Sequence, residues 1–216
     1  MDPSTIFFLI ALIFSIIIHE VSHGYAAAML GDPTARLQGR LTLNPLPHID
    51  PIGSILLPAL LVLTHAPFLF GWAKPVPYNP YNLNNKRWGE AIVAGAGPGV
   101  NLLLAIMFGL VVRFGMGSLS TQFISLAALI VYINILLAFF NLLPIPPLDG
   151  SKLLKSLLPY RASLSFERIE HTLMQGGFLV MLLVLWLIME LIGPIFRVGL
   201  SFIFSLITGV DMNAVL

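Results

Sequence analysis

From Ile6 to Ile18 the chain reads IFFLIALIFSIII, without a charge and with Ser15 as its single hydroxyl. Apolar side chains fall on every side of such a segment, so a helix built from it needs lipid or a large core around it. Crossing about 30 Å of hydrocarbon takes about 20 residues. Residues 4–30 supply that length and stop at Gly31-Asp32-Pro33. The pattern returns at 90–113 and 121–142, then in a closing pair, 172–192 and 194–209, parted by Gly193-Pro194. Only 10% of the 216 residues are charged, where soluble domains carry about 25%. The expected fold is an all-α polytopic membrane protein with about five to six transmembrane helices around a three-span core. It is expected to form one membrane-embedded unit over 1–216, with its core at about 4–160 and the helix pair at 172–209.

One apolar stretch, 51–72, is ambiguous, because Pro51, Pro58 and Pro67 interrupt it and His65 sits inside it. Basic residues mark the cytoplasmic side of a membrane protein. Placing Arg36, Arg40, Lys74, Lys86, Arg87, Lys152, Lys155, Arg161 and Arg168 inside leaves only Arg113 and Arg197 outside, out of eleven basic residues. The first span then runs inward, and 51–72 enters and leaves on one side as a re-entrant or interfacial element, which is tolerated where it packs on protein or lines a cavity. The chain is expected in a prokaryotic plasma membrane, as a multi-pass protein. A net charge of +1 implies no nucleic-acid partner, and the absence of cysteine excludes disulfides, thiolate metal sites and a cysteine nucleophile. The first segment does not read as a signal peptide, because Asp2 and no basic residue precedes its apolar run.

Directly after that run comes HEVSH, residues 19–23. Three ionisable groups in one turn of an apolar span are expensive and mark a functional site by default. His19 and His23 share a helix face about 6 Å apart along the axis, a spacing at which two imidazoles can hold one Zn²⁺. Glu20 lies about 100° round the helix, beside the metal rather than on it, where it can take a proton from water. The competing explanation, polar groups gluing helices together, does not require this grouping. A catalytic zinc needs a third protein ligand and an open position. Asp149, in FNLLPIPPLDG (140–150), is the best candidate, since Pro144, Pro146 and Pro147 fix an extended turn before it. His48, in LNPLPHIDPIG beside Asp50, is the rival, although a plain interface loop accounts for both residues.

HEVSH in the first span and NLLPIPPLDG after the third resemble the site-2 protease family, the intramembrane zinc metalloproteases. AGAGPGVN (94–101) is similar to that family's Gly-Pro-x-x-Asn element, and FGWAKPVPYNP (70–80) looks like the short bacterial and archaeal type without PDZ or CBS domains. The resemblance implies zinc bound by His19, His23 and Asp149, with Glu20 as general base. It also implies a place by the site for Asn141, whose amide can hold the scissile carbonyl or the oxyanion; a helix cap or interhelical bond explains Asn141 equally well. Asn101 reads as structural.

The expected function is hydrolysis of peptide bonds within or near transmembrane segments of a membrane protein or remnant peptide, from a cleft open to the cytoplasm. GRLTLNP (39–45) alternates as a strand and can offer an edge to an unwound substrate, with GWAKPVPYNP pairing with it or flanking the entrance. Two other classes compete. A metal-ion transporter would use the His/Asp cluster as part of an ion path and needs more ligands. A silent relative acting as a membrane binding protein has no need of the intact His/Glu/His/Asp set. The sequence leaves oligomeric state open.

Overall fold

The computed structural model describes residues 3–64 and 71–216; His65, Pro67 and Phe70 lie outside the described residues. Eight α-helices follow in chain order: α1 (Pro3–Met29), α2 (Thr34–Leu37), α3 (Leu57–Leu63), α4 (Gly89–Gly115), α5 (Thr121–Asn141), α6 (Asp149–Leu157), α7 (Tyr160–Gln175) and α8 (Gly177–Thr208). Among the described residues α1, α4, α5 and α8 are long and apolar enough to cross a membrane, so the protein is an all-helical polytopic membrane protein. α4 lies between α1, α5, α6 and α8. Ala105 and Val112 of α4 meet Ala128, Val131 and Ile135 of α5 and Phe204 of α8 in the main apolar core.

The closing pair differs from expectation. Residues 177–208 form one continuous helix with Pro194 inside it. Proline costs a helix one backbone bond but keeps a helical φ, and membrane helices tolerate it where neighbours compensate. The break falls instead at Gly176-Gly177, where Gly177 takes φ +77, and the residues before it form α7. Glu190 and Arg197 both lie inside this one helix, on either side of Pro194.

The 51–72 stretch starts as a π-helical turn, Pro51–Leu56, capped by the Asp50 carboxylate through the N–H groups of Ile52 and Gly53. It continues as α3. Its ends are pinned together: Trp72 N–H donates to Gly53 O at 3.1 Å, and Ser54 Oγ donates to Trp72 O at 2.8 Å. A Cβ on Gly53 would fall 2.2 Å from the Trp72 ring, so only glycine admits the returning chain there. Asn84 N–H donates to Leu30 O at 2.7 Å, which brings the start of α4 back to the end of α1. Residues 31–88 thus leave and return at one end of the bundle, the geometry a re-entrant element requires. No strand occurs among the described residues: 39–45 is irregular, and 71–79 joins no ladder.

Candidate metal centre

Because α4 runs back along α1, its first turns face the middle of α1. The antiparallel register sets Val93, Gly97 and Asn101 opposite His23 and His19. His23 Nδ1 donates to Val93 O at 2.7 Å, and His19 Nδ1 donates to Asn101 Oδ1 at 2.5 Å. A carbonyl only accepts, so His23 carries a proton on Nδ1 and turns Nε2 inward. The two Nε2 atoms are 3.1 Å apart.

The third group arrives through the turn after α5. Leu143 and Ile145 close tight backbone bonds, and the Pro146–Pro147 peptide is cis. Gly150 packs so closely under Leu142 and Leu143 that a Cβ would lie 2.2 Å from Leu142 O. Asp149 opens α6, which packs on α4. Its Oδ2 lies 3.1 Å from His19 Nε2 and 3.2 Å from His23 Nε2. All three side chains are buried, and one ligand atom from each lies within 4.8 Å of the others. Nitrogen lone pairs and a carboxylate oxygen crowded this closely call for a shared cation. Two imidazoles and a carboxylate suit zinc, and the bonds from the two Nδ1 atoms are the supports that metal-binding histidines use.

Gly97 makes the approach possible. A Cβ there would fall 2.5 Å from His23 Nε2 and 2.6 Å from His19 Nε2. The spacing of Gly97 four residues before Asn101 puts both on one face of α4, but that this face meets α1 is not visible in the sequence.

Glu20 stands outside the cluster, half-buried, with Oε2 accepting Val76 N–H at 2.9 Å. The segment that brings Val76 is clamped from several sides. Arg40, buried, donates through Nη2 to Lys74 O at 2.8 Å and Pro75 O at 3.2 Å. Lys74 N–H donates to His48 O at 2.8 Å, and Asn79 N–H donates to Asp32 Oδ2 at 2.7 Å. His48 is therefore a buried loop anchor, its Nε2 donating to Thr42 O at 2.9 Å, and it does not join the metal-ligand group. Tyr78, further along, lies under the Lys152 ammonium; burial pushes its phenol up against the pull of that cation. Asn141 ends α5 with Nδ2 donating to its own helix at Leu137 O, 2.9 Å.

Residues 116–184 match the sequence pattern of peptidase family M50. The chain is 42% identical over 160 residues to a Bacillus subtilis (strain 168) protein carrying a zinc metalloprotease name, YwhC, covering 71% of this chain and 69% of that one. It is 30% identical over 171 residues to Rip2 of Mycolicibacterium smegmatis, also named as a zinc metalloprotease, covering 79% of this chain and 63% of the relative. A Rip2 of Mycobacterium tuberculosis is 31% identical over 136 residues, 63% of this chain and about half (51%) of the relative's length. No solved structure matches the chain. Likeness to YwhC at this level, over this share of both sequences, places the chain in peptidase family M50, the site-2 protease family of metalloproteases, with zinc as its cofactor.

Proposed function

We propose that this chain is an intramembrane protease that cuts peptide bonds within or near transmembrane segments of other membrane proteins or remnant peptides. The observation that carries the reading is the convergence of His19 Nε2, His23 Nε2 and Asp149 Oδ2. The histidines sit roughly 9–15 Å inside the end of a membrane-crossing helix. His19, His23 and Asp149 would hold the zinc. When bound, zinc supplies the Lewis acidity that makes water a nucleophile near neutral pH and polarises a carbonyl.

Glu20 takes the proton of the attacking water as oxygen adds to the peptide carbon, and delivers it to nitrogen as the C–N bond breaks, leaving a carboxylate and an amine. Its bond to Val76 N–H orients the carboxylate and leaves Oε1 for the proton. Asn141 is the proposed oxyanion partner; turning its side chain off Leu137 O would free its amide as a donor. The basic residues favour a site open to the cytoplasm. Among the described residues a single His/Asp/Glu group could hold a metal, which favours one reaction centre over the chain of ligands that an ion path needs. The test uses protein in liposomes with single-span substrates: wild type is expected to cleave, and Glu20→Gln to retain zinc without cleaving. Equal cleavage by the variant would remove Glu20 from its role.

A further inference from the structure

His19 is supported by more than one residue. Asn101, Asn134 and Ser15, all buried, come from α4, α5 and α1 and form a continuous set of bonds. Asn134 Nδ2 donates to Ile130 O at 2.9 Å and to Ser15 Oγ at 3.0 Å. Asn101 Nδ2 donates to Asn134 Oδ1 at 2.8 Å. His19 Nδ1 reaches Asn101 Oδ1 at 2.5 Å.

The direction of this relay is fixed at its far end. Ile130 O is a backbone carbonyl and only accepts, so the Asn134 NH₂ group must face it. The Asn134 oxygen then faces Asn101, and the Asn101 NH₂ group must turn toward it. That leaves the Asn101 oxygen for His19, so His19 holds a proton on Nδ1 and, when the ring is neutral, presents Nε2 to Asp149 and His23 as the metal-binding nitrogen. Reversing either amide would put an NH₂ group against Nδ1 and move the histidine proton to Nε2, where it blocks a metal.

We infer that Asn134 is a positioning residue for the metal centre: held by Ile130 O, it fixes the amide orientation of Asn101 and thereby locks the metal-binding tautomer of His19. The inference deepens the zinc-site reading above and rests on it. Polar residues between membrane helices often serve as glue, and the two roles separate experimentally. The first measurement is the ¹⁵N spectrum of the metal-free wild-type protein, selectively labelled at histidine. His19 is expected as the Nδ1–H tautomer; an Nε2–H tautomer would overturn the lock whether or not the protein proves to be a protease. The second compares wild type with Asn134→Leu for Zn²⁺ affinity by competition with a chelating dye, for the visible spectrum of the Co²⁺ form, and for melting without metal. Loss of an outer partner of a metal-binding histidine typically costs about 10- to 100-fold in affinity, and a fall of threefold or more with an altered Co²⁺ spectrum is expected. A lower melting temperature with Zn²⁺ affinity changed less than threefold would reduce Asn134 to helix glue. Should Asn134→Leu fail to fold, the wild-type tautomer decides the matter.

Discussion

A single methyl group is enough to test the metal centre at the residue scale. Gly97→Ala places a Cβ against both imidazole Nε2 atoms, and neither can move without breaking its bond to Val93 or Asn101. The Zn²⁺ affinity of Gly97→Ala is expected to fall by at least about tenfold, as read by dye competition, while helix content stays as in wild type. Unchanged affinity would mean that α4 does not back the site closely. The grouping of His19, His23 and Asp149 was legible in the sequence because HEVSH spaces its histidines by one helical turn, and PIPPLDG stiffens the carboxylate's turn. Gly97, Asn134 and Ser15 were not, because their roles depend on which faces of α1, α4 and α5 meet. A lone Asn or Ser in an apolar run carries no sign of its partner. The loop reading of His48 was legible, but its burial was not, because that depends on Lys74 and Thr42 packing around it.

Among the elements, the segment 71–84 depends most on a few polar anchors. Its prolines at 75 and 77 remove N–H donors and leave Val76 N–H for Glu20. Asp32, fully buried, ties its far end to α1, accepting from Thr34, Asn79 and Asn82. Burial pushes the Asp32 carboxyl up, but these donors prevail and hold it below its ordinary value. A carboxyl depressed by folding stabilises the protein above its unfolded pKa of about 3.9. That stabilisation is lost as pH falls through the lower folded value. Asp32→Asn is expected to cost about 1–3 kcal/mol at pH 7 and to flatten the fall in thermal stability below about pH 4; parallel stability curves would contradict this anchor. The fold was legible at this scale where hydropathy alone decides: α1, α4 and α5 lie within a few residues of their expected bounds. α7 and the unbroken α8 were missed because Pro194 reads as a stop in sequence, whereas the break needs the positive φ that Gly177 supplies.

The pairing of the helices sets which of their ends share a side of the bundle. α1 ends where α4 begins, through Asn84 and Leu30. Arg113, near the end of α4, donates to Leu206 O at the end of α8, 3.0 Å. The start of α1 and the end of α8 therefore share one end of the bundle, and Tyr81 and Leu157 lie toward the other. The native chain contains no cysteine, so single cysteines report without background. In intact cells a membrane-impermeant maleimide is expected to label Ser4→Cys and Asn213→Cys but not Tyr81→Cys or Leu157→Cys. Labelling of all four, or the reverse pattern, would reject the proposed orientation and the cytoplasmic opening.

The central claim is that one buried His-His-Asp cluster holds a zinc ion on which the activity depends. It is tested most directly by metal content. Elemental analysis of purified wild type, Asp149→Ala and His19→Ala, each dialysed against the same low concentration of Zn²⁺, should give about one zinc per chain for wild type, as expected of a single site with three protein ligands, and close to none for either variant. Zinc retained equally by all three proteins would place the metal elsewhere and contradict the account.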